Sequence, residues 1–521
     1  LEFRRVLFRS RLVEIKGITY DKALAVHNSF CSQRDIRKVM LYLQEFGVTP
    51  AFAMKVYKKY GYRTIDIIKE NPYRMAEDIA GIGFKTADRI AYSMGIPTDS
   101  PNRVKSGIKY ILSESLLDGN VFMPKDSLIR QAGEILSVDE EMVDNCLREL
   151  QIEHKVFNEN IDGTDAVYLM TMYYTEISAA KKLLELSFFH DDADLRKIDD
   201  KIDAVEDLSG ICLAKQQRTA VIEAMREGVL VITGGPGTGK TTIIHTIIQI
   251  FKSSGMEVVL AAPTGRAAKR MTETTGIEAK TIHRMLGVAY ADDDNGRQKF
   301  DKNETETIEA DVIIIDEVSM VDMQLFNNLL KAIEPGTRLI LVGDANQLPS
   351  VAAGNVLKDI IKSKKIKVVR LTEIFRQARE SAIITNAHKI NSGEEPVMNG
   401  NNTDFFFVNA QYAPEVPGKI VELITKRLPK FTGVDSFSDM QVLTPMRKGD
   451  IGAAGLNKTL QKALNPPSDG KKEYETSSCT FREGDKVMQI KNNYNISWKI
   501  ENRLGKVIDD GTGIYNGDMG I

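Results

Sequence analysis

Apolar and polar positions alternate along this chain in two distinct rhythms. From Gly210 onward, short and nearly continuous apolar runs, "VLVIT", "EVVLAAPT", "DVIIIDE" and "RLILVGD", are each followed by a stretch with helical spacing. Strands buried on both faces and alternating with helices predict a parallel sheet covered on either side. After the basic "KSKKIKVVR", further units of this kind run to about Thr444. The region before Gly210 reads as helices instead. "GITYDKA" from Gly17, "GVTPAFA" from Gly47 and "GIGFKTA" from Gly81 repeat the form Gly, aliphatic, Thr or Gly, three residues, Ala, each between helical patterns. Such a repeat predicts helix-hairpin-helix units, with Gly at a tight or positive-φ position and Ala where helices meet closely. Units of this shape commonly lay backbone N–H groups against a nucleic-acid phosphate, which makes Gly47, Gly81 and Gly83 candidate DNA contacts. Between Arg103 and Met170, three helices and a hairpin about Asp162-Gly163 suggest a winged-helix shape.

Bulk properties narrow the picture only a little. A net charge of -3 with 27% charged residues excludes a histone-like or basic-tail binder, so any nucleic-acid contact must be local. The four cysteines, Cys31, Cys146, Cys212 and Cys479, form no C-x-x-C pair and suggest neither zinc site nor disulfide framework. No apolar run reaches the length of a membrane span, so the expectation is a cytoplasmic protein without membrane partners. The opening "LEFRRVLFRS" lacks an initiating Met and reads as a non-native scar, while the closing "YNGDMGI" reads as a cut end.

Chemistry concentrates at the predicted strand ends. "GGPGTGKTT" (Gly234, Gly235, Pro236, Gly237, Thr238, Gly239, Lys240, Thr241, Thr242) follows a short apolar strand and opens an amphipathic helix. This spacing turns backbone N–H groups toward phosphate oxygens, with Lys240 at the β- and γ-phosphates and the Thr241 hydroxyl on Mg²⁺. Asp316 and Glu317 end the strand "DVIIIDE", where one carboxylate can hold Mg²⁺ and the next orient and deprotonate water. The absence of an Asn-Lys-x-Asp segment favours ATP over GTP. Gln347 lies just past the strand ending at Asp344, within possible reach of a γ-phosphate. Gln217 precedes the first strand and could grip an adenine edge with a paired donor and acceptor. Arg376 follows a later strand, where a guanidinium can stabilise transition-state charge across a domain cleft.

The succession "ITGGPGTGKTT", "APTGRAAKRM", "TIHRML", "IIIDEVSMVD", "LVGDANQLPSV", "LTEIFRQA", "VLTPMRKGDIG" and "VMQIKNNYN" resembles the superfamily 1 helicases of the RecD-like branch. The N-terminal repeats resemble its long form, which works without RecB and RecC subunits. The resemblance implies an α/β fold: tandem RecA-like P-loop motor domains, the second incomplete, preceded by a helix-hairpin-helix region and a winged-helix-like segment. Expected boundaries are 1–10 for the scar, 11–100 for the hairpin repeats, 101–205 for the winged-helix-like segment and connector, 206–360 for the first motor domain and 361–521 for the second. It further implies an ATP- and Mg²⁺-dependent motor that moves 5′ to 3′ on single-stranded DNA and opens duplex junctions in repair or recombination. An RNA helicase and an ATP-switched DNA-binding module remain alternatives. By motif match, Pro263, Thr264, Gly265, Arg266, His283, Thr444 and Arg447 fall in segments that contact DNA, Gln347 senses the γ-phosphate and Arg376 is an arginine finger. The stretch from Gly287 to Glu309 matches the place of a strand-splitting hairpin, and the family's SH3-like insertion is expected beyond "YNGDMG".

Overall fold

The computed structural model describes residues 19–188, 195–287, 300–375, 380–398, 404–477, 479–491, 493–501, 506–514 and 516–521. Gly17 of the first repeat, Arg376 and most of the expected strand-splitting hairpin lie outside the described residues, as does the opening "LEFRRVLFRS".

The N-terminal region is helical, with α1 (Tyr20–Glu45), α2 (Pro50–Tyr60), α3 (Thr64–Glu70), α4 (Arg74–Asp78) and α5 (Phe84–Ser93). Two of the predicted hairpins are formed. Gly47 connects α1 to α2 at φ +76° and Gly81 connects α4 to α5 at φ +91°. The aliphatic and Ala positions of the repeat, Val48 and Ala53 in one unit and Ile82 and Ala87 in the other, are buried. The repeat therefore encodes packing as well as turn geometry.

A winged-helix-like unit comes next: α6 (Pro101–Leu117), β1 (Met123–Pro124), α7 (Lys125–Leu136), α8 (Glu140–Ile152), β2 (Val156–Ile161) and β3 (Thr164–Leu169). The strands form a sheet of order β1-β3-β2. Asp162 and Gly163, both at positive φ, make the two-residue turn that matches strand twist. The two-residue β1 left no periodic signal in the sequence. Helix α9 (Met170–Ser187) then leaves the wing and buries Met172, Ala179, Leu183 and Leu186 in one core of the parallel sheet. The wing is thereby fastened to that sheet.

After α10 (Leu195–Ser209) and α11 (Lys215–Arg226) comes a six-stranded sheet: β4 (Val229–Gly234), β5 (Val258–Ala262), β6 (Ala279–Thr281), β7 (Val312–Ile315), β8 (Arg338–Gly343) and β9 (Lys367–Leu371). Helices α12 (Lys240–Ser253), α13 (Gly265–Thr275), α14 (Ile282–Leu286), α15 (Met323–Lys331) and α16 (Val356–Ser363) lie between its strands in the chain. The sheet order is β6-β5-β7-β8-β4-β9 and every pair is parallel. Alternate residues of one strand enter opposite cores. Val229 and Val231 join the cluster that holds α9, while Leu230 and Ile232 join the one that holds α11 and α12. This two-sided burial is why the strands read as unbroken apolar runs.

The sheet extends past residue 360, where a second motor domain was expected to have begun. β9 lies beside β4, with Val369 and Leu371 in one core and Val368 packed against the other. Beyond Leu371, the helices include α17 (Ala382–Asn391), and the described strands form antiparallel pairs, the longest between Asn493–Glu501 and Val507–Ile514. No parallel strand pair occurs among the described residues of that region.

Candidate nucleotide site at the strand ends

β4 runs directly into the glycine-rich loop. Gly237 and Gly239 adopt φ of +76° and +75°, which L side chains rarely do. A Cβ on Gly234 would stand 2.7 Å from Thr238 Oγ1 and 2.9 Å from Leu371 Cβ, and one on Gly239 would collide with Gln217 Nε2. The glycines thus let the backbone fold on itself into a cradle that side chains would fill. Lys240 Nζ donates to the carbonyl oxygens of Gly234 (2.6 Å) and Gly235 (3.1 Å), which holds the ammonium across the loop. Thr241, exposed, and Thr242, half-buried, occupy the first turn of α12 beside the loop.

Parallel register sets the remaining groups beside this loop. Thr233 of β4 pairs with Gly343 of β8, and Leu341 of β8 with Ile315 of β7. Asp316 and Glu317 therefore leave the sheet one strand beyond β8, about 10 Å sideways from the phosphate loop's strand. Asp316 accepts from the Glu317 N–H at 2.8 Å. Burial pushes the Asp316 carboxyl above its usual range, against the opposing pull of that N–H, Lys240 and Arg270. Glu317 is also raised, by burial first and by Asp316 second. Glu317 stands at φ +54°, unusual for a residue with a Cβ, and its buried Oε2 has no hydrogen-bond partner among the described residues. A strained residue holding an unpaired carboxylate oxygen signals a role that folding alone does not supply. Taken together, the glycine cradle, the ammonium across it and the unpaired oxygen fit a nucleoside triphosphate with its cation.

The other sequence-derived residues are placed unevenly. Gln347 sits in an exposed turn after β8, its N–H bonded to the carbonyl of buried Asp344. Gln217 is buried under the phosphate loop: its Oε1 accepts from the Ala214 N–H (2.9 Å) and its Nε2 lies 3.4 Å from the Thr238 carbonyl. Both ends of that amide face protein backbone, so the residue props the loop from beneath. Pro263 and Thr264 come after β5, and Thr264 caps α13 through the Ala267 N–H, leaving Gly265 in the first turn and Arg266 exposed. His283, in α14, is held below its ordinary pKa by burial, so its imidazole is neutral at pH 7 and offers no charge to a phosphate. Thr444 donates to the Ile451 carbonyl at 2.9 Å, and Arg447 is exposed. Leu286–Gly287 and Asp301–Lys302, the described flanks of the expected strand-splitting hairpin, are joined by backbone hydrogen bonds.

Sequence reasoning missed four residues at the site. Gln216 accepts from the Thr372 N–H (2.7 Å) and donates to its hydroxyl, tying α11 to the segment after β9. In that segment the Phe375 N–H reaches the Gly237 carbonyl at 3.3 Å. His388 of α17 stands 3.3 Å from the Pro236 carbonyl, and its ring would meet a Cβ on Gly235 at 2.6 Å. Arg270, one turn past Arg266, supplies positive potential to both carboxylates. Only Gln216 and Arg270 carried a signal, as neighbours of residues already singled out.

Comparison with known proteins accounts for the regional order. Residues 212–405 match the model of an AAA domain, residues 32–122 that of the ATP-dependent RecD2 DNA helicase HHH domain, and residues 456–521 that of the ATP-dependent RecD-like DNA helicase SH3 domain. This chain belongs to the RecD-like helicase family. Within that family it is 31% identical over 495 residues to the ATP-dependent RecD2 DNA helicase of Deinococcus radiodurans, an alignment covering 93% of this chain and 66% of that protein. It is 38% identical over 184 residues to the RecBCD enzyme subunit RecD of Mycolicibacterium smegmatis, covering 30% of this chain and 32% of that one. An uncharacterized protein of Methanocaldococcus jannaschii is 25% identical over 97% of this chain and 50% of its own length. The SH3-domain match corrects the sequence reading: it begins at residue 456, well before "YNGDMG", and takes in residues assigned to a second motor domain.

Proposed function

We propose that this chain is the ATP-driven motor region of a DNA helicase that moves 5′ to 3′ along single-stranded DNA and opens duplex junctions in repair or recombination. The observation that carries the reading is the strained, unpaired Glu317 beside Asp316, two strands over from a glycine cradle closed by Lys240, in a chain of the RecD-like family. Lys240 and the loop amides hold the phosphates, Thr241 and Asp316 the cation, and Glu317 orients the attacking water and takes its proton. Mg²⁺, when bound, neutralises charge on the phosphate oxygens. Gln347 senses the γ-phosphate from the turn after β8. Arg376, outside the described residues, is assigned the arginine-finger role by motif match alone.

DNA contacts are assigned to the hairpins at Gly47 and Gly81–Gly83, to Pro263, Thr264, Gly265, Arg266 and His283, and to Thr444 and Arg447. Independence from RecB and RecC is supported by the match of residues 32–122 to the RecD2 HHH domain. No described helix is long and apolar enough to cross a membrane; a cytoplasmic location is proposed on the likeness to a RecD2 DNA helicase.

The test is ATP hydrolysis with and without single-stranded DNA or RNA, beside Lys240→Ala, together with unwinding of duplexes bearing a 5′ or a 3′ tail. DNA-stimulated hydrolysis that Lys240→Ala abolishes, with unwinding from 5′ tails, supports the proposal. Hydrolysis indifferent to DNA that the protein nonetheless binds points to an ATP-switched binding module. Stimulation by RNA alone points to an RNA helicase.

A further inference from the structure

Away from the strand ends, a cavity of about 430 Å³ opens where the second hairpin unit meets the winged-helix-like unit. α5 contributes Phe84, Lys85, Arg89 and Tyr92 to its wall, α6 contributes Tyr110 and α7 contributes Ile135. Its floor is aromatic. Phe84 stacks on Tyr110 with ring centroids 5.2 Å apart and on Tyr73 at 6.0 Å, and Lys85 Nζ lies 5.7 Å from the Tyr110 ring centre. Tyr92 is 76% exposed and has no ring contact among the described residues.

The charges lining this cavity are unequally occupied. Asp88 is neutralised by Arg103 at 2.8 Å and accepts from the Tyr73 hydroxyl. Arg103 is used up as well, since it also donates to the carbonyls of Thr98 and Leu136. Lys85 and Arg89 form no ion pair among the described residues; Lys85 leans on Tyr110 and feels the Glu114 carboxylate, so the cavity presents two cations beside an unpartnered aromatic ring. Both lie within two turns of Gly83, the N-cap of α5, so they stand about 3–9 Å along the axis from the hairpin assigned to a DNA phosphate.

We propose that this cavity binds one nucleotide unit of a single strand, its base stacked on Tyr92 and its phosphate held by Lys85 and Arg89. The proposal rests on the reading of the chain as a DNA-binding motor but adds a contact outside the motor sheet. Aromatic faces accept any base, and guanidinium and ammonium groups secure the backbone, so the site would hold strands without reading sequence. An acidic peptide could also use the two cations, yet the exposed Tyr92 ring, in a cavity that Phe84 and Tyr110 also line, favours a planar base.

The test uses the 521-residue chain and a labelled oligothymidine carrying 5-iododeoxyuridine, with Kd from anisotropy and photocrosslinked peptides mapped. Tyr92→Ala is expected to weaken binding about 5- to 100-fold, Tyr92→Phe to preserve it, and crosslinks to fall between residues 84 and 110. Lys85→Gln with Arg89→Gln is expected to flatten the salt dependence of Kd. Tyr92 is exposed, and an unchanged melting temperature confirms that its variants fold. Unchanged affinity in Tyr92→Ala with crosslinks only elsewhere overturns the proposal while leaving the DNA-binding reading intact. So does binding of a Glu-rich peptide that is lost in the double variant while DNA affinity stays unchanged. If the parent chain binds no oligonucleotide at all, both readings fall.

Discussion

The phosphate loop and the N-terminal hairpins both rely on glycines at positive φ, yet they use them differently. At Gly47 an added Cβ would meet nothing within 4 Å, and at Gly81 only ordinary contacts, so those glycines are required by backbone conformation alone. At Gly234, Gly235 and Gly239 a Cβ would strike Leu371, His388 or Gln217. The difference continues in the neighbouring residues. Around the hairpins the repeat's own side chains are buried and apolar, whereas beside the loop stand a strained Glu317 and an unpaired buried oxygen. A site that offers only backbone N–H groups can be built from good packing. One that must hold charged oxygens and activate water keeps features that folding disfavours.

The largest expected effect falls on the ammonium. Lys240→Ala removes the group that spans the loop, and ATP hydrolysis is expected to fall at least about 100-fold, measured as steady-state phosphate release. Glu317→Gln comes next and separates chemistry from stability. Hydrolysis should drop about 100- to 10,000-fold, as loss of a general base does, while nucleotide binding persists in an equilibrium assay. Burial raises the Glu317 pKa above its unfolded value, so the folded protein binds more protons in the window between the two. This group's contribution to stability therefore falls as pH rises through that window and stays unfavourable above the folded pKa. The amide removes that penalty, so Glu317→Gln should raise the melting temperature by about 1–3 °C at pH 8, with a smaller gain at pH 5. A variant inactive and also less stable would mean that Glu317 serves the fold.

Legibility in the sequence followed the same division. The parallel sheet, the loop and the acid pair could be read because two-sided burial and phosphate geometry each demand a narrow set of residues. The hairpins could be read because their Gly and Ala recur. β9 was given to the wrong side of a boundary because a buried edge strand has the same apolar pattern in either domain, and only pairing with β4 decides it. The grip of Gln217 on backbone was hidden for a related reason: an amide can meet adenine or a carbonyl with the same atoms. His388 and Phe375 could not be found at all, since their contacts with the loop depend on how distant segments meet.

A smaller effect is expected where the loop is tightest. Gly239→Ala puts a Cβ against Gln217 at φ +75°. It should destabilise the protein by about 1–3 kcal/mol in urea unfolding and weaken nucleotide binding along with it. If Gln217→Ala restores stability to Gly239→Ala, the collision with the amide is the cause; if it does not, the strained φ is.

The smallest expected effect sharpens the hairpin side of the comparison. Gly81 and Gly83 lie two residues apart, but Gly81 has φ +91° and Gly83 φ −89° with nothing near its absent Cβ. Gly81→Ala should destabilise by about 1–2 kcal/mol, the ordinary strain of a left-handed L residue. Gly83→Ala should change stability by less than about 0.5 kcal/mol. If the hairpin amides face a DNA phosphate, the added methyl at Gly83 lies between backbone and ligand, and affinity for single-stranded DNA should fall a few-fold with the melting temperature unchanged. A Gly83→Ala protein with full affinity would mean that the glycine there serves only the turn, and the repeat would then be a packing device with its ligand contacts elsewhere.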